Sequence, residues 1–302
     1  MIEQNDKITE YLEDYHAGKI AKGLEIGVPE LDDAIRYKQG QFNVILGLDN
    51  VGKTAWILWY MLCLSVKHDL KWAIWSGENE AGELVSQLIE FLSGHKVQDI
   101  PNFSDVVELE LKVLRWFTFI DNSKQYTAQE LFKLFKDTEC NGALIDPFTG
   151  LNRSYTHAAN YDFLNETRQF CNSTGIAIYL NTHPVSEAAR REYAAGHEWA
   201  GYQMPPNKAQ CEGGQGFANR CSDFITIHRL VGHPTEQYNT QIYIRKVKNI
   251  RTGGQVTDIA NPIECYYNNG LGFTVNGNNP LNTVNTNHLD LDNKNILPNI
   301  DF

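Results

Sequence analysis

The sequence has no unbroken apolar stretch of about eighteen residues, the length a membrane-crossing helix needs. Residues 1–7 are polar and acidic, without the basic start and apolar run of a secretory leader. The expectation is a soluble, cytoplasmic protein with no membrane partner. Cysteine is sparse: the six residues are scattered, with no CxxC and no Cys/His pair at zinc spacing, as expected of reduced thiols. Neither a disulfide nor a metal is assigned to them. Positive charge is also short, with 26 Lys and Arg against 37 Asp and Glu and a formal charge of −11. That excludes a protein coating nucleic acid with its whole surface, because phosphate neutralisation needs clustered cations. A local basic channel inside an acidic assembly stays open. No internal repeat is visible.

What is present is 302 residues with 42% hydrophobic content, enough for one α/β core with small additions. Apolar strand-like runs fall at 42–46, 71–76, 117–121, 142–146, 176–180, 224–228 and 241–247. Helical patterns lie between several of them, at 54–67, 80–93, 128–137 and 161–173. This alternation predicts a mostly parallel central sheet flanked by helices. Residues 3–17 carry Ile8, Tyr11, Leu12 and Tyr15 at helical spacing. The expected organisation is an N-terminal linker helix over 1–22, a core over 23–275, and an Asn/Asp-rich disordered tail over 276–302. Two weakly periodic stretches inside the core, 147–160 and 185–215, are candidates for functional loops.

Gly47-Leu48-Asp49-Asn50-Val51-Gly52-Lys53-Thr54 is a complete phosphate-binding loop between a strand and a helix. Its glycines let backbone N–H groups close around phosphates, Lys53 reaches the β- and γ-phosphate oxygens, and the Thr54 hydroxyl binds Mg²⁺. The nucleotide-binding set is these residues with Ala55, plus Arg229 just beyond the run at 224–228. The implied ligands are ATP and Mg²⁺. Asp49 is unexplained, since a carboxylate beside phosphates is unfavourable unless it faces away or meets a cation.

A second metal ligand should end an apolar strand beside the P-loop strand, and Ala143-Leu144-Ile145-Asp146 nominates Asp146. The plainer alternative is a helix-capping aspartate. Hydrolysis needs a carboxylate that orients the attacking water. Ser76-Gly77-Glu78-Asn79-Glu80 offers Glu78, with Glu80 in reserve; either can instead sit in the first turn of the next helix, favoured by its dipole. Asn181-Thr182-His183-Pro184 ends another strand, where His183 is either a γ-phosphate sensor or a structural histidine.

Together with Gly27-Val28-Pro29-Glu30-Leu31-Asp32 and Glu212-Gly213-Gly214-Gln215-Gly216-Phe217-Ala218-Asn219-Arg220-Cys221-Ser222-Asp223, these motifs resemble the RecA-like ATPase domain of DnaB-type hexameric helicases, including the phage and Twinkle-like branches. The resemblance covers roughly residues 19 to 273. It implies a P-loop NTPase that couples ATP hydrolysis to DNA unwinding in a phage-like replication system, inside a bacterial or infected host cell. It also implies a homo-oligomeric, hexameric ring on single-stranded DNA, with ATP between subunits and a basic finger supplied by the neighbour. Here Arg245-Lys246-Val247-Lys248-Asn249-Ile250-Arg251 fills the finger segment. Lys246, Lys248 and Arg251 are the candidates, and a solvated hairpin is the alternative. The collar or primase domain usual in that family has no counterpart before the core. A primase, a polymerase or a single-strand-binding protein are the further partners implied, and Asn299-Ile300-Asp301-Phe302 resembles a recruiting tip.

In a ring, the two long loops would face the channel. Asn152, Arg153 and Ser154 in the first, and Arg190, Arg191, Lys208 and Gln215 in the second, are candidates for DNA phosphates, with Tyr202 for base stacking. Two other readings stay open: a RecA-like filament recombinase, suggested by Lys246 and Lys248, and a KaiC-like nucleotide-switched scaffold, suggested by the acidic charge.

Overall fold

β-Branched, aromatic and leucine side chains concentrate in short runs, and these form the sheet. Its strands are β1 (Phe42–Leu46), β2 (Trp72–Ser76), β3 (Phe117–Phe119), β4 (Gly142–Asp146), β5 (Ala177–Thr182), β6 (Asp223–Arg229), β7 (Asn239–Val247), β8 (Ile263–Tyr267) and β9 (Phe273–Thr274). The computed structural model describes residues 5–283; the expectations for the end of the tail, including Asn299 to Phe302, lie outside the described residues. The strand order is β3-β2-β4-β5-β1-β6-β7-β8-β9. The pairs from β3 to β6 are parallel, and those from β6 to β9 are antiparallel.

β1, β2, β4 and β5 are buried at every position, which requires cover on both faces of the sheet. The helices, in chain order, are α1 (Asn5–His16), α2 (Pro29–Ala34), α3 (Lys53–His68), α4 (Ala81–Ser93), α5 (Phe103–Trp116), α6 (Ala128–Asp137) and α7 (His157–Thr174), followed by the short α8 (Ser186–Ala189) and α9 (Gly216–Arg220). The strand period of two divides each strand between two cores. Ile45, Trp72, Ile74, Leu144 and Tyr179 join one core with α3 and α4. Val44, Ala73, Trp75, Ile145 and Leu180 join the other with α6 and α7.

α8, inside a stretch read as a loop, and three further elements are not predicted from the sequence. α5 buries only Val113 and Trp116; its stretch Val107-Glu108-Leu109-Glu110-Leu111 alternates in polarity, which masks a 3.6 period. β8 is a half-exposed edge strand and β9 has two residues, so neither carries much pattern. The strand of Asp146 is also not beside the P-loop strand as expected, because β5 lies between β4 and β1. Packing continues past residue 275: Leu281 is buried, and Trp59 Nε1 donates to Asn279 Oδ1 at 3.4 Å. All six cysteines are buried. Among the described residues no helix is long and apolar enough to cross a membrane.

Candidate nucleotide site

The carboxyl ends of β1, β2, β4 and β5 open on one cleft of about 560 Å³, a size typical of small-ligand sites. Its wall includes Asp49, Asn50, Gly52, Lys53, Thr54, Ala55, Glu78, Asp146 and His183. The loop between β1 and α3 takes its shape from the close approach of β6 to its two glycines. Gly47 has no space for a Cβ, which would lie 2.6 Å from the Ile227 carbonyl oxygen. Gly52 has φ +87°, and a Cβ there would lie 2.9 Å from the Arg229 guanidinium. α3 then starts at Lys53 and brings the unpaired N–H groups of its first turn to the cleft, the feature that binds phosphate at helix N-termini. Arg229 lies under this loop, with Nη2 donating to Thr240 Oγ1 at 2.6 Å and its charge over the Tyr267 ring.

Lys53 Nζ donates to the carbonyls of Gly47 at 2.9 Å and Leu48 at 2.8 Å. Burial pulls its pKa down, against the opposing charges of Asp146, Asp49 and Glu78. Thr54 Oγ1 donates to Asp146 Oδ2 at 2.6 Å, and Asn181 Nδ2 donates to Asp146 Oδ1 at 2.8 Å. Asp146 is 2% exposed, and the Asn181 side-chain oxygen is buried without a partner. A buried carboxylate and a hydroxyl thus form an oxygen donor pair beside the P-loop, with Asn181 holding the carboxylate in place. That pair suits Mg²⁺, which takes one or two protein ligands and keeps water and phosphate for the rest.

Ser76 lies level with Asp146 across the β2–β4 pair. Its Oγ accepts from Asn79 N at 3.0 Å and from Asn79 Nδ2 at 3.1 Å, while Gly77 N donates to the Asp146 carbonyl at 2.8 Å. This turn puts Glu78 on the cleft wall. Glu80 is the N-cap of α4, its N–H donating to Glu83, and is not part of that wall. His183, just past β5, places Nδ1 2.9 Å from Asp49 Oδ1 and Nε2 3.9 Å from Glu78 Oε1. Asn79, Leu84 and Gln87 also line the cleft and, like Asn181, are not among the residues the sequence nominates. For Asn181 a signal exists, since it ends the same strand that points to His183.

The basic residues at the end of β7 lie elsewhere. Val247 pairs with Asp223 at the start of β6, whereas Gly47 abuts Ile227, a separation of roughly 13 Å along the strand. Lys246 Nζ donates to the carbonyls of Ala218, Asn219 and Cys221 at 2.7, 3.1 and 2.8 Å. The Arg251 guanidinium lies over the Tyr15 ring at 4.4 Å. Lys248 is exposed. None of the three lines the cleft of its own chain.

The loop candidates are similarly divided. Arg153 lies over Phe148 at 3.6 Å and donates to Asn160 Oδ1 at 2.6 Å and to the Ser154 carbonyl at 3.1 Å. Arg191 Nη1 donates to Gln210 Oε1 at 3.3 Å, and Tyr202 packs on His233. Asn152, Arg190, Lys208 and Gln215 are exposed.

No known protein-family profile matches the chain. It is 24% identical over 277 residues to the Twinkle homolog protein, chloroplastic/mitochondrial, of Arabidopsis thaliana, matching 84% of this chain and 36% of that protein. The chain thus spans about a third of the length of that curated relative. Among solved structures it is similar to the ATPase domain of G40P, with a TM-score of 0.72 at 13% identity, covering 91% of this chain and 99% of that one. It is also similar to a DnaB-like replicative helicase described with its interactions with primase, with a TM-score of 0.69 at 12% identity, covering 91% and 67%. The fold of this chain is that of the RecA-like ATPase domains of DnaB-like helicases.

Proposed function

We propose that this chain is an ATP-dependent DNA helicase motor, assembled as a hexameric ring on single-stranded DNA in a phage-like replication system. Residues 1–22 are its linker and 23–275 its motor core. The reading is carried by the division of the site. The P-loop, Glu78, Asp146 and His183 share one cleft, while the exposed Lys248 sits at the other end of the sheet. A cation placed there serves a neighbour's nucleotide, not its own, so the site is complete only between subunits.

In the cleft, Lys53 exchanges its two loop carbonyls for phosphate oxygens, Glu78 orients and polarises the attacking water, and His183 senses the γ-phosphate. Mg²⁺ held through Thr54 and Asp146 supplies positive charge to the phosphates. Lys248 acts as the finger, and Lys246, tied to three carbonyls, fixes the strand end that presents it. Arg190, Lys208 and Gln215 contact the DNA backbone from the loop after β5. A primase is the partner that the comparison with the DnaB-like helicase suggests.

The test is unwinding of a forked duplex with ATP. The wild-type chain is expected to separate the strands, and Lys53→Ala to abolish both unwinding and turnover. Glu78→Gln is expected to bind ATP normally while losing about 10²-fold or more in kcat; normal hydrolysis by that variant would move the water-orienting role to another residue. The capture of Arg153 and Arg191 by protein groups thins the basicity of the loops and favours a second reading, a nucleotide-switched scaffold. An ATPase rate indifferent to single-stranded DNA, with no salt-sensitive DNA binding, would select the scaffold.

A further inference from the structure

Asp49 is a carboxylate in a loop shaped for a polyanion, and its side chain is 83% exposed at the cleft mouth. By charge alone it opposes an incoming triphosphate. Its Oδ1 lies 2.9 Å from His183 Nδ1. An ionised carboxylate has acceptors only, so the hydrogen in this contact belongs to Nδ1, and the ring orientation is fixed with Nε2 turned toward Glu78. The Nε2 to Glu78 Oε1 distance of 3.9 Å exceeds hydrogen-bond length, so the two groups face each other across a gap without bonding. β1 and β5 are neighbours with Leu46 opposite Thr182, which is why a residue three past one strand meets a residue one past the other.

We infer that Asp49 is a positioning residue for nucleotide turnover: it ties the P-loop to β5 through His183 and holds that ring in register with Glu78. The inference rests on the reading of the cleft as an ATPase site. Its specific content is that Asp49 weakens ATP binding by its charge and assists hydrolysis through the ring it aims. A residue that merely supported the loop would help both.

The experiment is a double-mutant cycle on the full chain with ATP, using wild type, Asp49→Ala, His183→Ala and the double variant, with ATP Kd and kcat measured separately. Asp49→Ala is expected to bind ATP more tightly, and to lose roughly ten- to a hundred-fold in kcat, the scale of a misplaced catalytic group. The double variant is expected to be no slower than His183→Ala, because the two act as one unit. Asp49→Asn keeps an acceptor for Nδ1–H without the charge, so it should recover most of the kcat while retaining the tighter binding. Multiplying losses in the double variant, weaker ATP binding by Asp49→Ala, or an unchanged kcat would each overturn the inference. Lys53→Ala separates this from the parent reading. Lys53-dependent hydrolysis with independent Asp49 and His183 effects defeats the inference alone, whereas no Lys53-dependent hydrolysis in the wild type defeats both.

Discussion

Gly52 meets two demands at one residue. Its φ of +87° lies in the left-handed region, and the space where a side chain would stand holds the Arg229 guanidinium at 2.9 Å. An L-residue in that conformation costs about 1–2 kcal/mol, and the overlap displaces Arg229 from Thr240. Gly52→Ala is therefore expected to lose at least about 1–2 kcal/mol of stability in a urea titration and about ten-fold in ATP affinity, the equivalent of 1.4 kcal/mol. Unchanged values in both would mean that the loop does not rest on Arg229. The loop itself is legible in the sequence because its glycines, Lys53 and Thr54 answer local requirements. The contacts that hold the sheet beneath it are not: Arg229 reaches the loop from the end of β6, and at the other end of that strand the buried Lys38–Asp223 ion pair, at 3.1 Å, joins residues 185 positions apart.

At the scale of elements, the β6–β7 pair decides where charges go. Its antiparallel register turns Lys246 back onto the carbonyls that end α9, a favourable place for a cation, and leaves Lys248 outside. From the sequence the two lysines are equivalent; only the pairing distinguishes them. The same strand pair buries His228 completely, and burial, with Arg245 nearby, pushes its pKa down to about 4. The unfolded chain, with an ordinary histidine near pH 6.5, takes up a proton that the folded chain refuses. Stability from this group is thus present above about pH 6.5 and lost as pH falls toward 4, by about 3 kcal/mol over the window. Urea midpoints measured from pH 7 to 4.5 should fall more steeply for the wild type than for His228→Leu. Equal slopes would place the acid sensitivity elsewhere.

For the whole molecule, the telling feature is apolar surface without cover from its own chain. Ile8, Tyr11, Leu12 and Tyr15 of α1 are each about half exposed. A groove of about 700 Å³ between α4 and α5 is lined by Val85, Ile89, Phe103, Val106 and Leu114. In the proposed ring, α1 lies on the neighbouring subunit. Deleting residues 1–17 is expected to leave the thermal midpoint nearly unchanged, since α1 buries little on its own core, while the assembly sediments as monomers and ATP turnover falls about 10³-fold or more, the order expected when a trans cation is lost. Full turnover by a monomeric truncation would show that no residue from a neighbour is needed.

The sequence by itself determined which residues form the loop between β1 and α3, which strand ends carry Asp146, Glu78 and His183, and that helices alternate with parallel strands. Each of these is written in short-range chemistry: a glycine-rich turn, an apolar run with a polar end, a period of 3.6 or 2. Tertiary structure alone decided the rest. It placed β5 between β4 and β1, gave Asp49 a partner in His183, tied Lys246 to the carbonyls around the end of α9, and folded α5 from a stretch with alternating polarity. The physical reason is that these outcomes depend on which strands pair and in which register, and pairing energy is shared among residues far apart in the chain.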